Sequence, residues 1–194
     1  MTQPIAAIVW AVGMVLWFVI RYPHQRRART IAVVTQDRDL GDRLFLAGAA
    51  IGLSLFPLAH VLTGFPAFAD HAFHPWMGWA GLVVEALFVG LFFESHRALG
   101  RNWSITLEIR DKHRLVTDGL YRYVRHPMYS SFWLWAIAQA LLIPNWIAGL
   151  TGLAGVAGLY FSRVGKEERL MQQAFGDEYR AYCAATGRVI PKLL

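Results

Sequence analysis

Two polar stretches of the chain collect the side chains on which chemistry could be built. The first covers residues 97–131, opening with RALGRNWS and continuing through HRLVTDGLYRYVRHPMYSS from His113, and it concentrates Arg, His, Tyr and main-chain donors. The second, KEERLMQQAFGDEYRAY, covers residues 166–182 and is preceded by Arg163. Arg and His donate to anionic groups, and Glu accepts from cationic ones. A site drawing on both stretches can therefore hold a ligand that carries both signs of charge. Arg163 and Glu167 stand four residues apart, the spacing of one helix face. On an open surface such a pair contributes only about 0.2 to 0.5 kcal/mol, so it becomes chemistry only where the fold encloses it. Gly119 allows a tight turn with positive φ between HRLV and RHPMY.

The elements that must bring these stretches together are apolar. Of 194 residues, 56% are hydrophobic and 16% charged, against roughly 45 to 50% and about 25% in ordinary soluble domains. The net charge of +6 is spread between long apolar runs and not over an aromatic-studded polar module, which argues against nucleic acid and for anionic lipid headgroups as the counter-surface. Cys183 is the only cysteine, so no intramolecular disulfide and no cysteine-based zinc cluster can be argued.

A helix needs about 20 residues to cross the hydrocarbon core. Residues 4–20, 44–62 and 76–93 meet that length, and the first run is expected to be a span and not a cleaved leader, since it lacks a basic start and a small-residue cleavage pattern. Residues 128–161 are too many for one span and are interrupted at Pro144 and Asn145, which predicts a helical hairpin of two short spans. The expectation is an all-α integral membrane protein of about five transmembrane helices. It is read as a single membrane domain over 1–194, with three spans in 1–95 and, in 96–194, a cofactor-binding and catalytic half comprising the hairpin and a cytoplasmic C-terminal helix. All 19 Lys and Arg residues then fall on one side, which by their cytoplasmic bias puts the N-terminus outside and the C-terminus and site in the cytoplasm. Closure of the hairpin would bring the two polar stretches together there.

Within the spans, Gly48 and Gly52, and Gly149, Gly152, Gly155 and Gly158, offer light surfaces for close helix approach. Glu85 is predicted in mid-span, where a bare charge is costly and is either functional or paired. His60 is expected to be structural. Trp103, Trp133, Trp135 and Trp146 are expected as interfacial anchors and core. Glu168, Asp177, Glu178 and Arg180 are expected on a solvated face, and Arg125 is open to a contact with lipid phosphate.

LGRNWS, HRLV, GLYRYVRHPMY, the paired acids of EERL, and FGDEYRAY followed by Pro191 together resemble the isoprenylcysteine carboxyl methyltransferase family and, more distantly, the membrane phospholipid N-methyltransferases. The resemblance covers roughly residues 97–191. It implies S-adenosylmethionine as cofactor, with contacts at Thr106, at His113, Arg114, Leu115 and Val116, at Tyr121, at His126, Pro127, Met128 and Tyr129, and at Glu167. Arg163 is implied to meet the substrate carboxylate, and Arg163 and Glu167 to be the catalytic pair. The implied partners are the bilayer and a lipidated or prenylated carboxylate substrate entering from it, with no nucleic acid and no metal. The residues fit that cofactor on chemical grounds as well. Glu167 can pair with its ammonium, His126 or main-chain donors with its carboxylate, and Tyr121, Tyr129, Leu115 and Val116 can enclose adenine and ribose. The chain has no GxGxxG and no βα alternation.

A carboxylate acceptor is ionised at neutral pH and needs no general base, which suits a site with a cation and no evident base. Three other readings share features with this one. A membrane sterol reductase using NADPH carries a similar RHPxY segment, an amine or phospholipid N-methyltransferase would need a base, and a non-catalytic scaffold would bind no cofactor.

Overall fold

The computed structural model describes residues 1–28, 33–37, 40–100, 107–110 and 115–192, with the backbone alone at 28, 33–37 and 107–110. Helix α1 (Gln3–Ala28) is followed by strand β1 (Val33–Asp37). Helix α2 (Leu40–Ala50) then passes through a π-helical turn (Ile51–Leu55) into α3 (Phe56–Thr63). After these come α4 (Pro75–Leu99), strand β2 (Leu107–Arg110), α5 (Pro127–Leu142) and α6 (Trp146–Ala185). The boundaries follow local chemistry. Pro75 and Pro127 open α4 and α5, where a missing N–H costs nothing. Gly64 ends α3 in the left-handed region at φ 72°. Asn145 caps α6, its side-chain oxygen accepting from the N–H groups of Ile147 and Ala148 at 3.1 and 2.8 Å.

Among the described residues, four segments, Gln3–Arg27, Leu40–Thr63, Pro75–Leu99 and Trp146–Ala185, are long and apolar enough to cross a membrane. At about 1.5 Å per residue, the 16 residues of α5 reach only about 24 Å, less than the roughly 30 Å hydrocarbon core. The expected fourth span is thus the short arm of the hairpin. Its other arm continues past Phe161 as far as Gly176, where φ 54° and ψ −123° kink the chain, and a further helical segment then runs to Ala185. No proline stands between Trp146 and Thr186, and the Lys, Glu, Arg, Met and Gln of 166–173 all favour a helix. β1 and β2 form a two-stranded antiparallel ribbon, an addition to an otherwise helical architecture.

The helical passes alternate between two ends of the bundle. At one end Met1 and Phe73 pack around Gly78. There the 64–74 connection is tied to the hairpin tip: the His71 N–H donates to the Pro144 carbonyl at 3.0 Å, and Asn145 Nδ2 donates to the Pro66 carbonyl and Asp70 Oδ1 at 2.8 and 2.6 Å. His60 serves this end structurally, with Nδ1 3.3 Å from the Phe65 carbonyl and Nε2 3.8 Å from Asp70. At the other end the rings of His24 and His96 lie 5.0 Å apart, and Lys166 pairs with Asp42 at 3.5 Å. The two polar stretches meet at this second end.

Between the ends, Trp10, Phe88, Phe92, Trp135 and Leu142 are fully enclosed, while Ile8, Phe18, Leu62, Val83 and Leu87 point outward, as lipid-facing residues of an integral multi-pass membrane protein do. Trp135 is core as expected, and Trp146 is exposed. Small residues let α6 close on α2 and α3. A β-carbon at Gly52 would overlap the Thr151 carbonyl, and one at Gly155 would come within 2.9 Å of Ala49 Cα, whereas Gly48 meets nothing. Gln139 Nε2 binds the seam, donating to the carbonyls of Gly52 and Ala148 at 3.0 and 2.7 Å, the polar cross-helix bonding expected within a bilayer. Glu85 is buried in mid-span, with neither carboxyl oxygen hydrogen-bonded among the described residues. It fits because Gly13 leaves room: a β-carbon there would overlap the carboxylate.

Candidate active site

The site forms where the start of α5 faces the middle of α6. Asp118 and the turn at Gly119–Arg122 lead into it, with Gly119 at φ 57° as its sequence suggested. Pro127 then fixes the entry to α5, so that His126 and Tyr129 project toward one face of α6. On that face Arg163 and Glu167 are successive turns.

Glu167 is the hub. Tyr129 Oη donates to its Oε1 at 2.7 Å, His126 Nδ1 lies 3.5 Å from its Oε2, and Arg163 Nε is 3.9 Å from its Oε1. The Arg163 side chain is 6% exposed and that of Glu167 25%, so this pair is enclosed and not an open helix-surface bridge. His126 is also flanked by the second acid, with Nε2 3.4 Å from Glu168 Oε1 but without hydrogen-bond alignment. Burial acts to lower the His126 pKa, yet the two carboxylates outweigh it and hold the imidazole above its ordinary value.

The other residues expected at the site are placed unevenly around this hub. Tyr121 is buried, and its carbonyl accepts from Tyr182 Oη at 2.6 Å. Leu115 and Val116 are half-buried. Met128 packs inward against the cluster of Leu53, Phe88, Phe92 and Trp135. Thr106, His113, Arg114 and Trp103 lie outside the described residues.

Two expectations are corrected. Glu168 does not belong to a solvated face: its side chain is 16% exposed and takes bonds from Arg125 Nε and Nη2 at 3.2 and 3.0 Å and from Arg188 Nε and Nη2 at 3.1 and 2.6 Å. Arg125 faces inward, bonding Glu168 and the carbonyls of Cys183 and Thr186. Both errors have one cause, since the chain after α6 turns back and covers this face. Adjacent acids point about 100° apart around a helix, and the available signal was that Glu167 and Glu168 together need partners on two sides. Asp177 and Arg180 do form an exposed pair, at 3.0 Å.

The enclosed acid and the flanking cation suit a zwitterionic ligand. Among the described residues no three His, Cys, Asp or Glu side chains converge as a metal site would need.

Residues 82–173 match the model of the isoprenylcysteine carboxyl methyltransferase (ICMT) family. The match takes in just under half of the chain. It holds both helices of the site, including His126, Tyr129, Arg163 and Glu167. Over 120 residues the chain is 29% identical to protein-S-isoprenylcysteine O-methyltransferase B of Arabidopsis thaliana, covering 61% of each chain. It is 39% identical over 70 residues to the protein-S-isoprenylcysteine O-methyltransferase of Schizosaccharomyces pombe, covering 36% of this chain and 30% of that one. The solved eukaryotic intramembrane Ras methyltransferase ICMT superposes with a TM-score of 0.56 at 27% identity, over 77% of this chain and 52% of that chain. The chain thus spans between 30% and 61% of these relatives, and the intramembrane helical architecture is shared with the solved ICMT.

Proposed function

We propose that this protein is an S-adenosylmethionine-dependent methyltransferase that esterifies the carboxylate of a lipidated, isoprenylcysteine-like acceptor. The observation that carries this reading is the convergence of Arg163, Glu167, His126 and Tyr129 in an enclosed cluster at the charged end of the region that matches the ICMT family. The names of the relatives support the acceptor class.

The bound cofactor supplies a methyl group on an electrophilic sulfonium. Glu167 offers an enclosed anion for the ligand's ammonium, and His126, whose pKa its two acids raise, offers N–H donors for the ligand's carboxylate. Leu115, Val116, Tyr121 and Tyr129 supply apolar and aromatic surface for adenine and ribose, with Thr106, His113, Arg114, Pro127 and Met128 as the remaining cofactor contacts. Arg163 would hold the acceptor carboxylate, its guanidinium fork matching the two oxygens. Holding two reactants in register can lower a barrier by about 7 to 11 kcal/mol in favourable cases, and the enclosing helices keep water out. No residue need take a proton from a carboxylate. An amine acceptor would need a base, and this favours a carboxylate acceptor.

The charge distribution supports an orientation with the N-terminus outside and the site in the cytoplasm. In this reading the chain is one membrane domain crossing about five times, in which residues 1–95 anchor it and wall the lipid path and residues 96–194 carry the site.

The test is transfer of labelled methyl from S-adenosylmethionine to farnesylated N-acetylcysteine in membranes containing the protein. Base-labile label in that acceptor, and none in its carboxamide or in phosphatidylethanolamine, is the expected result. Label in phosphatidylethanolamine alone would replace the carboxylate reading with the amine one.

A further inference from the structure

The chain beyond α6 does more than end it. Thr186 already terminates the helix, its N–H and hydroxyl both bonding the Tyr182 carbonyl at 3.1 and 2.7 Å. From there the tail returns along the segment that precedes α5. The N–H groups of Arg125 and His126 donate to the carbonyls of Gly187 and Arg188, each at 2.8 Å, and the Gly187 N–H donates to the Tyr123 carbonyl at 3.3 Å. Ser130 Oγ donates to the Val189 carbonyl at 2.6 Å. The residues leading into α5 and its first turn are thus strapped to residues 187–189, which lie outside the family match of 82–173.

The strap also carries a side-chain connection to the site. The Arg188 guanidinium grips both oxygens of Glu168, at 3.1 and 2.6 Å, while Arg125 holds Oε1 from another side at 3.0 and 3.2 Å. Glu168 is thereby fixed in position and orientation 3.4 Å from His126 Nε2. Arg forks suit carboxylates because both bonds form at once and the planar group has little freedom left to lose. Arg188 is itself 54% exposed, so an isolated surface bridge there would contribute little. Its effect lies in what it orients.

We propose that the C-terminal tail is part of the cofactor site and that Arg188 is a positioning residue, acting through Glu168 on the imidazole of His126. The inference rests on the methyltransferase reading above and names a control of the same site. Among the described residues, the charged and titratable groups around His126 are Glu167 and Glu168 of α6, Tyr129 of α5 and the adjoining Arg125. Arg163 and Arg188 stand behind the two acids, and Tyr160 lies beyond Tyr129, its ring 5.3 Å away. Removing Arg188 leaves Glu168 less neutralised and held by Arg125 through Oε1 alone, so the ring is drawn toward Glu168 and away from Glu167. Cofactor affinity should fall, and His126 should hold its proton to higher pH.

The experiment uses the full chain in detergent, with calorimetric titration of S-adenosylhomocysteine between pH 5.5 and 9 and NMR titration of the His126 ring. Arg188→Ala should bind about tenfold more weakly, the loss of one charge-assisted bond acting at a distance, and its ring midpoint should move upward. Arg188→Lys, which keeps the charge and loses the fork, should restore the midpoint and only part of the affinity. A purely structural tail would lower thermal stability and leave the midpoint in place. An unchanged midpoint in Arg188→Ala overturns the inference. Failure of the unaltered protein to bind S-adenosylhomocysteine overturns the functional reading instead, and the ring titration still decides the coupling.

Discussion

Replacing Glu167 by Gln isolates the charge at the hub of the site. Gln keeps an oxygen for Tyr129 Oη, 2.7 Å away, and nearly the same volume, but removes the anion facing His126 at 3.5 Å and Arg163 at 3.9 Å. Breaking a fully buried ion pair costs about 3 to 5 kcal/mol. Here the carboxylate is a quarter exposed and His126 retains Glu168, so a loss of folding stability of about 1 to 3 kcal/mol is expected. Ligand binding separates more sharply. One charge-assisted hydrogen bond contributes about 1.5 to 3 kcal/mol, so S-adenosylhomocysteine, which has the ammonium, should bind roughly 10- to 150-fold more weakly to Glu167→Gln. Methylthioadenosine, which lacks the amino-acid moiety, should bind the two proteins equally. Calorimetry on both ligands is the assay. Equal weakening of both ligands would mean that Gln deforms the pocket as a whole, and no weakening of either would remove Glu167 from the cofactor site.

Three further outcomes are expected. Arg163→Lys should raise the KM for the acceptor by about tenfold or more, because the fork to the carboxylate is lost, while S-adenosylhomocysteine affinity stays within twofold; an unchanged acceptor KM would contradict the assignment. The pH dependence has a fixed sign: because His126 is raised above the usual 6.5, its contribution to stability and cofactor binding is complete below about 6.5 and is lost as pH rises through the folded-state value. Glu168→Gln should move that loss to lower pH, and a loss on acidification from 6.5 would refute the sign. Gln139→Leu removes bonds to Gly52 and Ala148 and should cost about 0.6 to 2 kcal/mol, read as a lower unfolding midpoint in lipid micelles, whereas an unchanged midpoint would deny the seam its role.

Much of this molecule is legible in its sequence, and the parts that are not share a physical origin. Apolar run length located the helices because the bilayer fixes how many residues must be apolar, and Pro144 and Asn145 marked the hairpin tip because proline cannot continue a helix. The sequence could not show that Asn145 also joins the tip to Pro66 and Asp70, since a long-range partner leaves no local pattern. Gly119 was readable as a turn, and it has the positive φ expected of it. Glu168 reads as solvated, and the place of Arg125 stays open, until the tail folds back over them, because that return is a tertiary contact 20 to 61 residues away. The apolar run ends at Phe161 while the helix continues to the kink at Gly176, because charge ends the first without ending the second. His126, Tyr129, Arg163 and Glu167 were named from family motifs, and the fold brings those four together.

The central claim is tested most directly by titrating the detergent-purified full chain with S-adenosylhomocysteine and, in parallel, with NADPH. Saturable binding of S-adenosylhomocysteine, weakened in Glu167→Gln, with no heat from NADPH, is the predicted result. Saturable binding of NADPH with none of S-adenosylhomocysteine would contradict the account and assign this site to a reductase.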